Sequence, residues 1–237
     1  MYFVFFLFFL FALIPVLSIG LLIRYVIRKR NATQPADIRE KAQRKLDELK
    51  AKLKPWTNQS FEHLSPHPMI TSIDGVSMNR RHGYLLGSQN ERQLALSLAS
   101  KAAFEVDEFT VFAHSQADFQ ILTKRKYATF SKDGIPLGSY TFNEAICDAS
   151  GQAVGELKIK LLNGLTVDDR ENFHFHFQSG LKGYMPNISN ITTDGLIDYS
   201  MHGSHAFEVE SGHQPTDLEK DLLLCLWVLL NSSSWTT

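Results

Sequence analysis

The residues best suited to chemistry in this sequence are two histidines separated by one residue, His174 and His176. Side chains two apart on a β-strand point to the same side, so the pair has the spacing of two ligands of one metal ion. Phe173, Phe175 and Phe177 alternate with them, which is also typical of a strand with an apolar inner face and a polar outer face. The pair therefore raises a hypothesis, a metal-dependent enzyme, and its structural alternative, a half-buried strand.

Other patterns with a chemical meaning are sparse. Asp168 and Asp169 are adjacent carboxylates, but neighbouring acids on a loop are usually solvated. The sequence contains no Gly-x-Ser-x-Gly, Gly-x-x-x-x-Gly-Lys-Ser/Thr, His-Glu-x-x-His or Gly-x-Gly-x-x-Gly. We therefore expect no ordinary hydrolase, P-loop or dinucleotide-binding protein and no cofactor, and a binding role is favoured over an enzymatic one.

The compact basic cluster of the body consists of Lys124, Arg125 and Lys126. Such a cluster suits contact with anionic lipid or with an acidic partner. Its structural alternative is a set of solvated charges that keeps a strand edge from pairing with another chain. We expect the cluster to be the lipid- or partner-binding site.

The elements that would position these residues begin with an apolar segment, residues 1–23, which has no charged side chain and is followed by Arg24, Arg28, Lys29 and Arg30. As a helix rising about 1.5 Å per residue, the segment spans roughly 30 Å, the thickness of the hydrocarbon layer of a bilayer. Because cationic residues stay on the cytoplasmic side, we expect a retained single-pass anchor with the N-terminus outside and the rest of the chain in the cytoplasm.

The charge is unevenly distributed along the chain. Residues 24–54 contain 11 Lys and Arg against 4 Asp and Glu, a net charge of +7, whereas the remaining residues contain 13 and 21, a net charge of -8. The positive charge therefore lies next to the membrane, where anionic headgroups attract it. An acidic body disfavours a nucleic-acid-binding function.

A basic helical connector is predicted over residues 24–55, with the helix itself over 36–54. One narrow apolar seam repeats along it at steps of three and four residues: Ile38, Ala42, Lys45 or Leu46, Leu49 and Leu53. The seam suits pairing in a homodimer, packing on the domain, or lying on the membrane surface. The first arrangement would make the protein an assembly factor that dimerises through its connector.

Residues 56–237 are predicted to form a mainly antiparallel, barrel-like β domain. Alternating residues indicate strands at 109–114 and 119–124, and two strands around an Asp-Gly or Ser-Gly turn within each of 129–142 and 146–159. Further strands are predicted at 156–162, 172–178 and 196–201, with 206–210 as a further candidate. An irregular approach is expected over 56–69, and an amphipathic helix over 90–103. Cys147 and Cys225 are expected to be buried thiols, as in a reducing compartment.

The last element is predicted to be a helix over residues 216–231. Thr216 and Glu219 have the spacing of a capping box, and residues 222–230 are apolar on every side. Such a helix must be surrounded, yet it is too short to cross a bilayer. We therefore expect it to be buried inside the β domain.

This combination resembles the tubby-like fold of tubby proteins, phospholipid scramblases and LURP-one-related proteins. The resemblance covers roughly residues 104–231 and rests on the turn from Cys147 to Gly151 with Gly155, its partner at 133–138, and the helix at 217–230. It implies a barrel filled by the C-terminal helix, and lipid binding through basic surface residues, here Lys124, Arg125 and Lys126. The apolar segment is N-terminal, whereas that of scramblases is C-terminal, and no calcium-binding loop is present, so lipid translocation is not implied.

Overall fold

The computed structural model describes residues 35–57, 59–74, 79–100, 107–124, 127–141, 145–160, 172–186, 205–210 and 212–232. The chain divides into two compact units, Met1–Lys41 and Ala42–Thr237. The anchor predicted for residues 1–23 lies outside the described residues, as do Asp168 and Asp169. Within the described ranges, no helix has both the length and the apolar character needed to span a membrane.

Within the described segments, two helices flank twelve strands. The helices are α1 (Pro35–Lys50) and α2 (Asp217–Ser232). The strands are β1 (Leu64–Asp74), β2 (Asn79–Gly87), β3 (Arg92–Ser100), β4 (Asp107–His114), β5 (Ala117–Lys124), β6 (Tyr127–Lys132), β7 (Ile135–Thr141), β8 (Ala145–Asp148), β9 (Ala153–Lys160), β10 (Asn172–Phe177), β11 (Lys182–Pro186) and β12 (Glu208–Val209).

The strands form one antiparallel sheet in which each strand pairs with its neighbours in sequence. This meander confirms the prediction of a mainly antiparallel β domain. The two ends of the sheet also approach each other: the Ala206 N–H donates to the Leu64 carbonyl over 2.7 Å, and the rings of Phe61 and Phe207 stack at 4.5 Å. The segment before β12 therefore lies against the start of β1.

The apolar C-terminal helix is buried, as the sequence predicts. All eight residues from Leu222 to Leu229 are buried and share one core with side chains from β3 to β11. The capping box is present, because the Glu219 N–H bonds Thr216 Oγ1 and the Thr216 N–H bonds Glu219 Oε2. The helix therefore begins where the sequence indicates and supplies the centre of the core.

The connector helix α1 ends at Lys50 rather than at the predicted residue 54. Ala42, Leu46 and Leu49 are buried within the single chain, so this part of the seam packs on the domain. Lys50 bonds Asp118 of β5, which lies in the same cross-strand row as Ala113, Ala95 and Tyr84. Residues 42–50 therefore cover the outer face of β2 to β5.

The helix predicted over residues 90–103 is wrong, because residues 90–100 form the turn before β3 and β3 itself, and residues 101–103 lie outside the described residues. Leu94 and Leu96 point into the core, and Ala95 and Ser97, which alternate with them, are also buried. Since both faces of β3 are covered, the strand lacks the polar and apolar alternation that marks a half-exposed strand. Asn90, the first residue of the predicted helix, instead has a φ of 60° in the turn before β3.

The irregular approach predicted over residues 56–69 is also partly wrong. It ends at Leu64, where β1 begins and continues through Pro66 and Pro68. Prolines are tolerated in strands at sheet edges, and β1 pairs on one side only, with β2. The strand predicted at 196–201 lies outside the described residues.

Candidate functional site

The antiparallel meander gives the sheet two chemically different ends. We call one the entry end, because α2 begins there; it contains the β4–β5, β6–β7 and β10–β11 turns. Lys132, at the β6–β7 turn, bonds Asp221 of α2, and Ser179, in the β10–β11 turn, bonds Glu219 of α2. The opposite end is the far end, which contains the β5–β6 turn. The two candidate surfaces of this domain lie at these ends.

Lys124 is the last residue of β5 and lies at the far end, exposed and opposite Tyr127 of β6. Arg125 and Lys126, which separate these two strands in the sequence, lie outside the described residues. Six residues of strand, roughly 20 Å, separate Lys124 from Asp118 at the entry end. Lys124, the described residue of the sequence-predicted basic site, is therefore remote from the start of α2.

His174 and His176 lie on the outer face of β10, since Phe173, Phe175 and Phe177 are buried on the inner face. His176 Nδ1 is 3.8 Å from Glu156 Oε1, and the ring of His174 is 5.9 Å from the ring of Tyr184. The predicted alternation of the strand is confirmed.

A metal site would need more ligands than this histidine pair. No group of three or more His, Cys, Asp or Glu residues is arranged to hold a metal ion in the part of the chain that the structure describes. Lys158 directly opposes His174 across the strands, so a cation lies beside the pair. The use of His174 and His176 as metal ligands stays a prediction.

A network of charged side chains at the entry end connects both helices. Lys50 at the end of α1 bonds Asp118. The Asp118 N–H donates to Asp133 Oδ1 over 2.8 Å, and the Asp133 N–H donates back to the Asp118 carbonyl over 2.7 Å. Lys132, next to Asp133, donates to Asp221 of α2 over 2.7 Å. The two hairpins thus join α1 to α2 through two ion pairs linked by hydrogen bonds between Asp118 and Asp133.

Burial shifts the pKa values of two groups on α2, the Asp221 carboxyl group and the Cys225 thiol. Burial raises the pKa of Asp221 although Lys132 lowers it, and the nearby carboxylates of Asp217 and Asp133 raise it further. Four residues later, complete burial raises the pKa of the Cys225 thiol well above its usual value, with Asp221 as the second cause. Cys225 is therefore an inert, protonated thiol, and the network holds one poorly solvated carboxylate.

His114, beside this network, is held neutral. Its pKa is lowered from 6.5 to about 4, mainly by burial and also by the charges of Lys132 and Lys50, while Asp133 acts in the opposite direction. Its ring stacks on Trp56 at 4.5 Å, and its Nδ1 accepts a hydrogen bond from the Gln116 N–H over 3.1 Å. His114 thus fixes the segment after α1 against the β4–β5 turn.

Sequence reasoning did not find this entry-end network. Its ion pairs join residues separated by 68 and 89 positions, so no local spacing signals them. The signal available in the sequence was limited to Asp133-Gly134, which marks the turn correctly but says nothing of its partners. No family model, curated protein or solved structure matches this chain.

Proposed function

We propose that this chain is a single-pass membrane-anchored binding module whose β domain faces the cytoplasm and contacts anionic lipid through Lys124, Arg125 and Lys126. The observation that carries the proposal is the uncharged segment of residues 1–23 followed directly by Arg24, Arg28, Lys29 and Arg30. The exposure of Lys124 at the end of a hairpin supports the lipid contact, since a hairpin tip reaches a flat surface without rearrangement.

Two features support a tubby-like, barrel-shaped domain as part of this proposal. A continuous antiparallel meander leads back to the start of β1, and an apolar helix fills its core. Closure of such a sheet removes exposed strand edges, which a module tethered at high local density needs to avoid aggregation. In this proposal, binding uses the outer surface and the two ends of the domain, because α2 occupies the interior.

The anchor is tested on the full chain expressed in cells. We expect alkaline carbonate to leave the protein in the membrane fraction, and protease added to intact cells to leave the β domain uncut. Release by carbonate would contradict the anchor, and digestion of the domain from outside would contradict its orientation.

The lipid contact is tested with the full chain in nanodiscs of phosphatidylcholine alone or with phosphatidylserine. Anionic lipid should slow hydrogen exchange in residues 120–130 of the natural chain but not after substitution of Lys124, Arg125 and Lys126 by Gln. The matched control substitutes Gln for Lys158, Lys182 and Lys220, which removes the same charge elsewhere and should preserve the protection. Equal protection in both variants would remove the lipid-binding role of the hairpin.

A further inference from the structure

The entry end carries an exposed apolar surface. Among the described residues, three large apolar side chains are exposed: Ile135 at 69%, Leu218 at 42% and Tyr127 at 42%. Tyr127 lies at the far end, whereas Ile135 and Leu218 both lie at the entry end. Two of the three exposed apolar side chains therefore belong to one region.

Ile135 and Leu218 lie on either side of one ion pair. Ile135 is directly opposite Lys132 in the β6–β7 pairing, and Lys132 bonds Asp221. Leu218 lies one helical turn before Asp221. Leu222, in the next turn, packs against β7 at Gly138, which directs the start of α2 along the same hairpin. We call Ile135, Leu218 and the exposed Pro136 the entry-end patch.

Acidic groups surround this patch. Asp133 precedes Ile135 by two residues, Asp217 precedes Leu218, and both carboxylates act on Asp221. The ammonium group of Lys132 offsets one of these three carboxylates, which leaves a net charge of -2 beside Ile135 and Leu218. An anionic membrane surface would be repelled here, whereas a cationic ligand would be attracted.

We propose that the entry-end patch binds a short basic peptide segment of a partner protein, in which one or two aliphatic side chains are flanked by Lys or Arg. Ile135 and Leu218 bury the aliphatic side chains, and Asp133 and Asp217 pair with the flanking cations. The patch lies at the opposite end of the domain from the basic hairpin of Lys124. This inference rests on the proposed function only in that the domain is a binding module, and it does not depend on anionic lipid.

The test measures fluorescence anisotropy of the labelled peptide Lys-Arg-Leu-Ile-Leu-Arg-Lys against the full chain in phosphatidylcholine nanodiscs. Neutral lipid is used because anionic lipid would itself bind the probe. We expect saturable binding that weakens as salt rises. A peptide with Ser-Gly-Ser in place of Leu-Ile-Leu, and one with Glu and Asp in place of the cations, should each bind at least tenfold more weakly.

The variants locate the binding site. Ile135→Ser combined with Leu218→Ser should raise the Kd of the basic peptide at least tenfold, and Asp133→Asn with Asp217→Asn should flatten its salt dependence. Tyr127→Ser is the matched control, since it removes an equally exposed apolar side chain at the far end, and it should leave the Kd unchanged. Thermal unfolding of each variant confirms that the domain is folded.

Three results would overturn the inference: no saturable binding to the natural chain, an unchanged Kd in the Ile135 and Leu218 double variant, or equal binding of the acidic peptide. Binding that Tyr127→Ser weakens, with an unchanged Kd in the double variant, would place the site at the far end instead. Failure of the membrane proposal has different readouts, carbonate release and loss of lipid-dependent protection, so the two failures are distinguishable.

Discussion

Lys132 and Asp221 join the β6–β7 hairpin to the buried C-terminal helix, with Lys132 Nζ 2.7 Å from Asp221 Oδ2. The Asp221 side chain is mostly buried while Lys132 is about one-third exposed, so the pair lies at the boundary between core and solvent. A carboxylate in this position depends on its cation, because burial alone raises its pKa. The contact therefore holds α2 at the entry end of the sheet.

Removing the cation of this pair should destabilise the domain. We expect Lys132→Met to lower the free energy of unfolding by about 2 kcal/mol at neutral pH, less than for a fully buried pair because Lys132 is partly exposed. Without Lys132, the pKa of Asp221 in the folded variant rises further, so folding favours the protonated carboxyl group. The loss of stability should therefore grow as pH rises through the pKa that Asp221 has in the folded variant. Thermal unfolding followed by the fluorescence of the buried Trp227 measures this effect.

The matched control for this prediction is Lys158→Met. Lys158 pairs with Glu156 on the outer face of β9, where both side chains are roughly half exposed. An exposed pair contributes little, so its loss should leave the free energy of unfolding nearly unchanged. Equal losses in the two variants would show that burial of Asp221 does not control the stability of the contact.

Protonation of His114 should make the domain less stable in mild acid. The folded pKa is lowered from 6.5 to about 4, so the unfolded chain takes up a proton in this interval and the folded chain does not. Stability is therefore complete above pH 6.5 and falls as pH drops to 4, by about 3 kcal/mol in total. Unfolding measured across this interval should show a steep pH dependence.

The variant that isolates this effect is His114→Phe. It keeps an aromatic ring between Trp56 and Phe119 but cannot titrate, although it loses the hydrogen bond from the Gln116 N–H. Its stability should be lower at pH 7 and nearly flat between pH 6.5 and 4. A natural chain and variant with parallel pH profiles would exclude His114 as the source of the acid sensitivity.

The sequence predicts features whose evidence is local. The capping box of Thr216 and Glu219 spans four residues, and the alternation around Phe175 reflects one solvent-facing and one core-facing side of a strand. By contrast, β3 is covered on both faces, so its apolar run does not distinguish strand from helix. The contact of Lys132 with Asp221 depends on how the β6–β7 hairpin packs against α2, which no local spacing encodes.

Gly138 lies where β8 and α2 leave no room for a side chain. A Cβ built at Gly138 would lie 2.4 Å from the Cys147 carbonyl oxygen and 2.9 Å from Leu222 Cδ2. Gly138→Ala should therefore force the backbone of β8 or the helix α2 to move, with a loss of about 2 to 3 kcal/mol typical of overpacking. Thermal unfolding of the full chain provides the measurement.

The control for crowding at Gly138 is Gly134→Ala in the adjacent turn. Gly134 has a φ of 79°, and nothing lies within 4 Å of its built Cβ. This substitution introduces only backbone strain, about 1 kcal/mol. If Gly138→Ala were no more harmful than Gly134→Ala, the close approach of β8 and α2 to Gly138 would be contradicted.

The buried seam of α1 leads to the last prediction, which separates packing on the domain from pairing between chains. Leu46 is completely buried within one chain, so Leu46→Ala should lower the free energy of unfolding by about 3 kcal/mol. Because the lost contacts are intramolecular, the loss should be the same at all protein concentrations in detergent. A seam shared between two chains would instead give a loss that depends on concentration, since dimer stability follows mass action.

Sedimentation completes this test. If Leu46 packs only on its own domain, Leu46→Ala leaves the sedimentation coefficient of the full chain unchanged while its melting temperature falls. Arg44→Ala is the matched control, because Arg44 is exposed two residues earlier on the same helix and should change neither quantity. Conversion of a dimer to a monomer by Leu46→Ala would contradict the packing of α1 on its own sheet and favour the dimer hypothesis. The substitution can change the molar mass of the particle only if Leu46 lies in an interface between two chains.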